Sequence, residues 1–476
     1  MSRIQSRKPV FCGTSSCASN SFQKINWPIQ SFKTFSVAPL ILALAACGGG
    51  GSSSSSSSAV NITAKSAVVS HFADLAFAGY QDSLLAAQNL QTAISTFLAT
   101  PDETNLAAAK TAYLAARKPY AQTEAFRFDE GFVSQGLPGV SSVDAWEGQV
   151  NAWPLDEALI DYVDASAYEG EYTATSNVIN SNSVTAGDDT IDTSTLTTDV
   201  LISLNEVGGS EANVATGYHA IEFMLWGQDI NGTAAGAGNR PVTDYLTNGS
   251  CTSGADNPQP DAICEKRAAY LTVATTLLID DLEAMVAEWN PATAGLTLRS
   301  DLVDSADQTG LNRMLFGMGS LALGELASER MQVALIAGST EDEHECFSDS
   351  THLAYFYNAK SVQNVYMGSY QRIDNSTLTG SSISDLIAET NATLDAQVKS
   401  QFAKVDAAMQ AIVDSAEVDG VAFDQLIATI SQGGTSERRA LVSTAITELQ
   451  TLTDLIEQVA AALGISNLDS DGGSQF

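Results

Sequence analysis

Basic residues are scarce in this 476-residue chain, in which 22 Lys and Arg stand against 56 Asp and Glu, a formal net charge of −34. A protein that binds nucleic acid needs basic charge to displace the counterions of the phosphates. The composition therefore argues against nucleic acid as a partner, and equally against electrostatic binding to a membrane surface. Divalent cations and cationic ligands are compatible with this charge.

Proline, aromatic residues and long apolar runs are also scarce. The chain has 11 Pro and 7% aromatic residues, whereas Ala and Leu are abundant, a composition that favours helices over a β-sandwich or barrel. The apolar run from Val37 to Ala46 is too short to span a bilayer as a helix, which needs about 20 residues. A hydrophobic content of 44% is nevertheless enough for a sizeable core.

Residues 1–46 have the pattern of a bacterial lipoprotein signal peptide, because a basic segment without acids precedes the short apolar run. The run ends in Leu44-Ala45-Ala46-Cys47, which resembles a lipobox. Residues 47–60, rich in Gly and Ser, are typical of a flexible tether. We expect Cys47 to carry lipid and to hold the protein in the cell envelope, at the outer membrane of a Gram-negative cell. A plain signal peptide with an incidental cysteine is the alternative.

Apolar residues recur at three- and four-residue steps along much of the remaining chain, which predicts amphipathic helices. The predicted helices span 66–98, 102–127, 155–163, 261–289, 310–337, 351–370, 382–415 and 435–463, with further helical pattern in 196–226 and 420–432. Residues 131–153 are expected to be irregular, and 165–195 to form a polar excursion with a small hairpin.

The predicted fold is therefore all-α, with two helical-bundle domains at 61–250 and 251–465 and a flexible tail at 466–476. Cys251 and Cys264 flank a loop rich in Gly, Asn, Asp and Pro, and an oxidising envelope compartment makes them an expected disulfide. Cys346 is left as a buried thiol, with a metal thiolate as the alternative.

The segment Gly217-Tyr218-His219-Ala220-Ile221-Glu222 carries the sharpest chemical signal. His219 and Glu222 are three residues apart on a predicted helix, so their side chains share a face. An imidazole and a carboxylate together can bind zinc, iron or copper. Gly217 lets another backbone approach the start of this turn. On spacing alone, a helical His–Glu hydrogen bond is the alternative.

This segment resembles the Gly-x-His-x-x-Glu motif of the imelysin family. Further resemblances to the family follow in order along the chain, at Arg117–Tyr120, Glu124–Phe128, Trp153–Glu157, Asp161–Val163, Phe316–Ser320, Gly324–Met331, His344–Asp349 and Asn364–Tyr370. The resemblance implies two helical bundles, an envelope location, and a link to iron uptake with envelope iron-uptake proteins as partners. The family is also catalogued as metallopeptidases.

The peptidase assignment can be tested against the sequence. A zincin needs His-Glu-x-x-His, but His344-Glu345 is followed by Ser348 where the second histidine would stand. The inverted motif needs His-x-x-Glu-His, but Phe223 follows Glu222. We therefore predict a non-catalytic binder of a metal ion or a metal-containing small ligand, with iron expected and zinc as the alternative. A zinc-dependent peptidase and a structural or interaction module without metal are the competing functions.

Other residues are candidates for completing a site in the gap between the two bundles. The carboxylates of Glu124, Glu325 and Glu329 are candidate ligands, although pairing with arginine is the alternative for each. A supporting role is expected for Gly217, Arg127, Trp226 and His352, with an ion pair or core packing as the alternative.

Overall fold

The computed structural model describes residues 62–465, apart from 128–141, 169, 171, 173–175, 255–256 and 306. The predicted signal peptide, lipid-bearing Cys47, tether and C-terminal tail lie outside the described residues. Almost all regular structure is helical, which confirms the all-α fold class. The helices are α1 Ile62–Ala99, α2 Glu103–Ala121, α3 Val143–Val150, α4 Glu157–Ile160, α5 Thr198–Leu204, α6 Gly217–Trp226, α7 Asp261–Trp289, α8 Leu298–Val303, α9 Asp307–Gly319, α10 Ala334–Ala337, α11 Thr351–Met367, α12 Ile383–Glu417, α13 Phe423–Ile427 and α14 Ser436–Ala462.

Two short antiparallel hairpins interrupt the helices. β1 (Ser183–Ala186) pairs with β2 (Asp189–Asp192), in the polar excursion where a hairpin was predicted. β3 (Ser369–Gln371) pairs with β4 (Thr377–Thr379), where no strand was predicted. The predicted helix 351–370 stops at Met367 because Gly368 turns the chain with a left-handed φ of +59°.

Local signals set several helix ends as predicted. α2 begins after Asp102, whose side chain accepts a hydrogen bond from the Asn105 amide at 2.8 Å. α7 matches the predicted range 261–289. Residues 143–150, expected to be irregular, instead form α3, whose start is capped by Ser142. The predicted helix 102–127 ends at Ala121, and the 3-10 turn Glu124–Phe126 follows.

The predicted helix 310–337 is not uniform. Between α9 and α10 the chain forms a π-helical stretch, Ser320–Val333. π-helical segments are rare and often lie at functional sites. This stretch carries both Glu325 and Glu329.

The helices pack around one hydrophobic core. α1 contacts α2, α7, α8 and α9, while α14 packs on α12 and on the π-helical stretch. All described residues lie in one compact unit, and the predicted division into two bundle domains is not confirmed and stays a prediction. Within the described residues, no helix is both long and apolar enough to cross a membrane.

The loop that precedes α7 is closed by a disulfide between Cys251 and Cys264, with a Cα–Cα distance of 5.9 Å. Cys346 is a free, buried thiol. The disulfide prediction is therefore confirmed, and Cys346 is buried as predicted.

Candidate metal centre

The start of α6 is held tightly against α3. Gly217 has a φ of +78°, and a Cβ at this position would lie 2.3 Å from the Val150 carbonyl oxygen. The neighbouring Thr216 hydroxyl donates to the Gln149 carbonyl at 2.6 Å. Only glycine allows this approach, as the sequence predicted, and it fixes where the first turn of α6 places His219.

The buried imidazole of His219 has one nitrogen without a hydrogen-bond partner. Its Nδ1 lies 3.3 Å from Oε2 of Glu222, whereas its Nε2 has no hydrogen-bond partner. Burial, followed by the charge of Arg117, lowers the His219 pKa well below 6.5. The ring is therefore neutral at physiological pH, and a neutral imidazole with one nitrogen engaged and the other open is the usual arrangement of a metal ligand.

Two more side chains that can bind a metal ion lie near His219, in the segment that precedes α11. Single ligand atoms of His219, His344 and Glu345 all lie within 4.8 Å of one another, and all three residues are buried. The imidazole rings of His219 and His344 are 4.9 Å apart, edge to face. Nδ1 of His344 also lacks a hydrogen-bond partner, and burial, followed by the charge of Arg330, lowers the His344 pKa.

Glu345 is fixed in place from two sides. Nε of Arg117 donates to Oε1 at 2.5 Å, and the Tyr113 hydroxyl donates to Oε2 at 3.2 Å. Arg117 is itself oriented by Asn151, whose Oδ1 accepts from Nη1 at 2.6 Å. A carboxylate has about four lone-pair sites, so these bonds leave room for a metal ion.

Glu222 lies beside His219 and connects α6 with the segment before α11, which carries His344 and Glu345. Its Oε1 accepts hydrogen bonds from both the amide and the hydroxyl of Ser348, at 2.9 and 2.6 Å. The Tyr113 hydroxyl lies 3.3 Å from Oε2 of Glu222 and shares its single proton between this oxygen and Oε2 of Glu345. Burial, followed by the charge of Glu345, raises the Glu222 pKa well above 4.5. Glu222, predicted as a ligand, is thus placed to orient His219 and to hold the 343–349 segment against α6.

Trp153 covers both imidazoles with apolar surface, and Phe347 packs on Trp153. The Trp153 ring lies 5.0 Å from the His219 ring and 5.6 Å from Phe347. Its Nε1 donates to the Glu341 carbonyl at 2.9 Å. This cover keeps water away, which strengthens every charge interaction within the group.

Glu124 and Glu325, predicted as completing carboxylates, are engaged by arginines. Nη2 of Arg330 lies 2.7 Å from Oε2 of Glu124, and Glu325 pairs with both Arg127 and Arg330. The π-helical backbone brings residues five apart within reach, which is why Glu325 meets Arg330. This is the arginine pairing that the sequence left open as the alternative.

The remaining predicted residues lie around the centre rather than in it. Glu329 is exposed on the π-helical stretch. Trp226 packs on Tyr113 at 5.4 Å and lies under the Lys110 ammonium. Nε2 of His352 lies 2.9 Å from Oε1 of Glu417, so this imidazole pairs with α12.

Sequence reasoning did not select His344 and Glu345 as ligands. They form a His-Glu pair in the sequence, but Ser348 stands where a zincin has its second histidine. In the structure the histidine that lies beside His344 is His219, from α6. Ser348 instead donates two hydrogen bonds to Glu222.

Comparisons with known proteins agree with this architecture. The sequence model of the imelysin family, Peptidase_M75, matches residues 76–456. No curated protein matches the chain significantly. Among solved structures, the chain is similar to a protein described as an iron-regulated protein A precursor from Parabacteroides distasonis, with 18% identity and a TM-score of 0.56. The match covers 85% of this chain and 96% of that chain, and at this identity it shows a shared fold.

Proposed function

This chain belongs to the imelysin family, and from that premise we propose that it binds a metal ion, iron above all, through His219, His344 and Glu345. One observation carries the proposal: two buried imidazoles, each with an unpartnered nitrogen, meet a carboxylate within 4.8 Å. An unpartnered buried nitrogen is unfavourable unless something binds it.

Iron is favoured by the donor set. Two histidines and one carboxylate form the facial arrangement that binds Fe²⁺ with open coordination positions. The same set also suits zinc with one open position. The structural relative is described as iron-regulated, which supports iron, and we assign the protein to iron acquisition or sensing.

The test is calorimetric titration of the mature protein with Fe²⁺ under anaerobic conditions, Fe³⁺ and Zn²⁺. His219→Ala and His344→Ala are each expected to weaken binding at least about a hundredfold, or roughly 2.7 kcal/mol. His352→Gln is the matched control, because this histidine pairs with Glu417 and should leave the affinity unchanged. Equal titrations for all four proteins would refute the assignment.

A zinc-dependent peptidase is the second candidate, because two histidines and a glutamate also form one set of catalytic zinc ligands. The ligands are 1%, 6% and 0% exposed for His219, His344 and Glu345, which leaves no path for a polypeptide without rearrangement. Cleavage of a protein substrate that a chelator abolishes and zinc restores would favour this candidate over the binder.

We further propose that the protein acts while lipid-anchored in the cell envelope, through Cys47. The support is the lipobox-like sequence and the Gly/Ser-rich segment after it. Cys47→Ser should move the protein from the membrane fraction to the soluble fraction. Unchanged fractionation would refute the anchor while leaving the metal assignment untouched.

A further inference from the structure

A narrow cleft lies beside the metal centre, between α2 and the start of α11. Arg117 and Lys118 line the cleft from α2, and Ser350 and Tyr357 line it from the side of α11. None of its lining residues is acidic, although Asp and Glu outnumber Lys and Arg by 56 to 22 in the whole chain. The cleft is therefore a basic site on an acidic protein.

The N-terminus of α11 adds positive charge to the same cleft. Ser350, Leu353 and Ala354 all line it, and they lie at the N-cap and in the first turn of a helix of 17 residues. The N-terminal end of a helix carries positive partial charge and favours anions. The Ser350 side chain does not cap this end. A helix N-terminus and two basic side chains thus meet at one place.

Arg117 is the buried member of the cleft lining, with 4% of its surface exposed. Its Nε donates to Glu345 at 2.5 Å, and its Nη1 donates to Asn151 at 2.6 Å. Nη2 is buried in ion-pair contact with Glu345 but makes no hydrogen bond. The guanidinium lies over the Tyr218 ring, 4.7 Å from its centre. Since an arginine has more N–H donors than these contacts use, Arg117 can still bind a further acceptor.

The cleft adjoins the metal centre at two points. Arg117 binds Glu345, one of the three proposed ligands. The Ser350 hydroxyl lies 2.7 Å from the Ser348 hydroxyl, which in turn donates to Glu222. A group bound in the cleft is therefore next to both carboxylates of the centre.

The charge of the occupied centre favours an additional anion. Both imidazoles must be neutral to bind a metal, so the charged groups in the described contacts of the ligands are Glu345, Glu222 and Arg117. Even with both carboxylates ionised, a divalent metal leaves one excess positive charge among these groups, and a trivalent metal leaves two. Buried excess charge is strongly unfavourable, and one anion would offset it.

We propose that this cleft binds a small anion that enters together with the metal ion, with Arg117 as its counter-charge. The proposal rests on the proposed function, because the anion and the metal stabilise each other. The planar fork of an arginine matches a carboxylate, and the cleft holds about one water-sized group. The ligand class is therefore a small planar oxyanion, of the size of formate or hydrogencarbonate, rather than a bulky chelator.

The test is anaerobic calorimetric titration of the chelator-treated mature protein with Fe²⁺, with and without formate at constant ionic strength. About 10 mM formate should tighten Fe²⁺ binding at least about tenfold in the wild type. Arg117→Gln should lose this tightening, whereas Arg117→Lys, which keeps the charge but not the fork, should retain part of it. The measure is the ratio of the two affinities within each protein. A mere displacement of Glu345 would weaken both affinities and leave that ratio unchanged.

Two further measurements make the result specific. Arg299→Gln is the matched control, because this arginine pairs with Asp74 at 2.6 Å and should keep the wild-type response to formate. The visible absorption of the Co²⁺-loaded wild type should change saturably as formate is added, and this measurement needs no variant to fold.

The anion site and the metal site can fail separately. Equal Fe²⁺ affinities with and without formate in the wild type, or an undiminished formate effect in Arg117→Gln, would overturn the anion proposal and leave metal binding intact. A Co²⁺ spectrum that formate does not change would also overturn it. Absence of Fe²⁺ binding under both conditions would count against the proposed function itself, and the anion proposal would fail with it.

Discussion

Nδ1 of His219 lies 3.3 Å from Oε2 of Glu222, one helical turn later on α6. The pair fixes the imidazole ring and leaves Nε2 as its open nitrogen. The other oxygen of Glu222 is held by Ser348. One carboxylate therefore couples the orientation of His219 to the position of the segment that carries His344 and Glu345.

The first prediction separates a ligand from an orienting residue. Glu222→Gln should weaken metal binding by about tenfold, because loss of a partner that orients a ligating histidine costs about 10- to 100-fold. His344→Ala should weaken it at least about tenfold more. Calorimetric titration measures both, with circular dichroism to confirm the helical content. A purely structural role for the motif predicts instead a lower Tm with no change in metal affinity.

The second prediction concerns the contact between Gly217 and Val150. Gly217→Ala should lower the free energy of unfolding by at least about 2 kcal/mol more than Gly209→Ala, because a Cβ would overlap the Val150 carbonyl. Gly209 is the matched control, since its φ of +79° is nearly the same and its Cβ would meet open space. Urea denaturation of the two variants measures the difference, and equal losses would contradict the prediction.

The third prediction concerns pH. Burial, followed by the charge of Asp280, raises the Asp281 pKa to about 8. Gln149 donates to its Oδ1 at 2.7 Å, but Oδ2 has no partner. The unfolded chain releases this proton near pH 4 and the folded chain near pH 8, so the folded state loses stability as pH rises between these values.

Asp281→Asn removes this ionisation. It should therefore stabilise the protein at pH 8 by at least about 1 kcal/mol, since each unit of pKa shift corresponds to about 1.4 kcal/mol, and should have little effect at pH 4. Glu283→Gln, on the exposed side of α7, should show no such difference. Denaturant unfolding of the variants and the wild type at both pH values tests this prediction. The prediction is wrong if Asp281→Asn is no more stable than the wild type at pH 8.

The fourth prediction concerns the cysteines. Cys251→Ala/Cys264→Ala should lower the free energy of unfolding by about 3 kcal/mol, because the disulfide closes a loop of 13 residues in the unfolded chain. In the wild type, alkylation in denaturant without reductant should label Cys346 and spare the other two. Mass spectrometry of the peptides reads this out, and labelling of Cys251 without reductant would be inconsistent with the bond.

The sequence alone predicted the features that depend on neighbouring residues. The stop at Pro101-Asp102, the whole of α7, the one-turn spacing of His219 and Glu222, and the need for glycine at 217 all follow from local periodicity, capping and backbone sterics. The family resemblance was likewise visible from short segments, and the match over residues 76–456 confirms it.

The tertiary structure decided which distant residues meet. No local pattern indicates that His344 and Glu345 approach His219, that Ser348 holds Glu222, or that Arg330 pairs with Glu124. The π-helical stretch that brings Glu325 to Arg330 is also not encoded by a simple spacing. These contacts depend on how α2, α6 and the segment before α11 pack together. That packing is set by the summed burial of many side chains across the core, whereas a helix is set by residues within a few positions of one another.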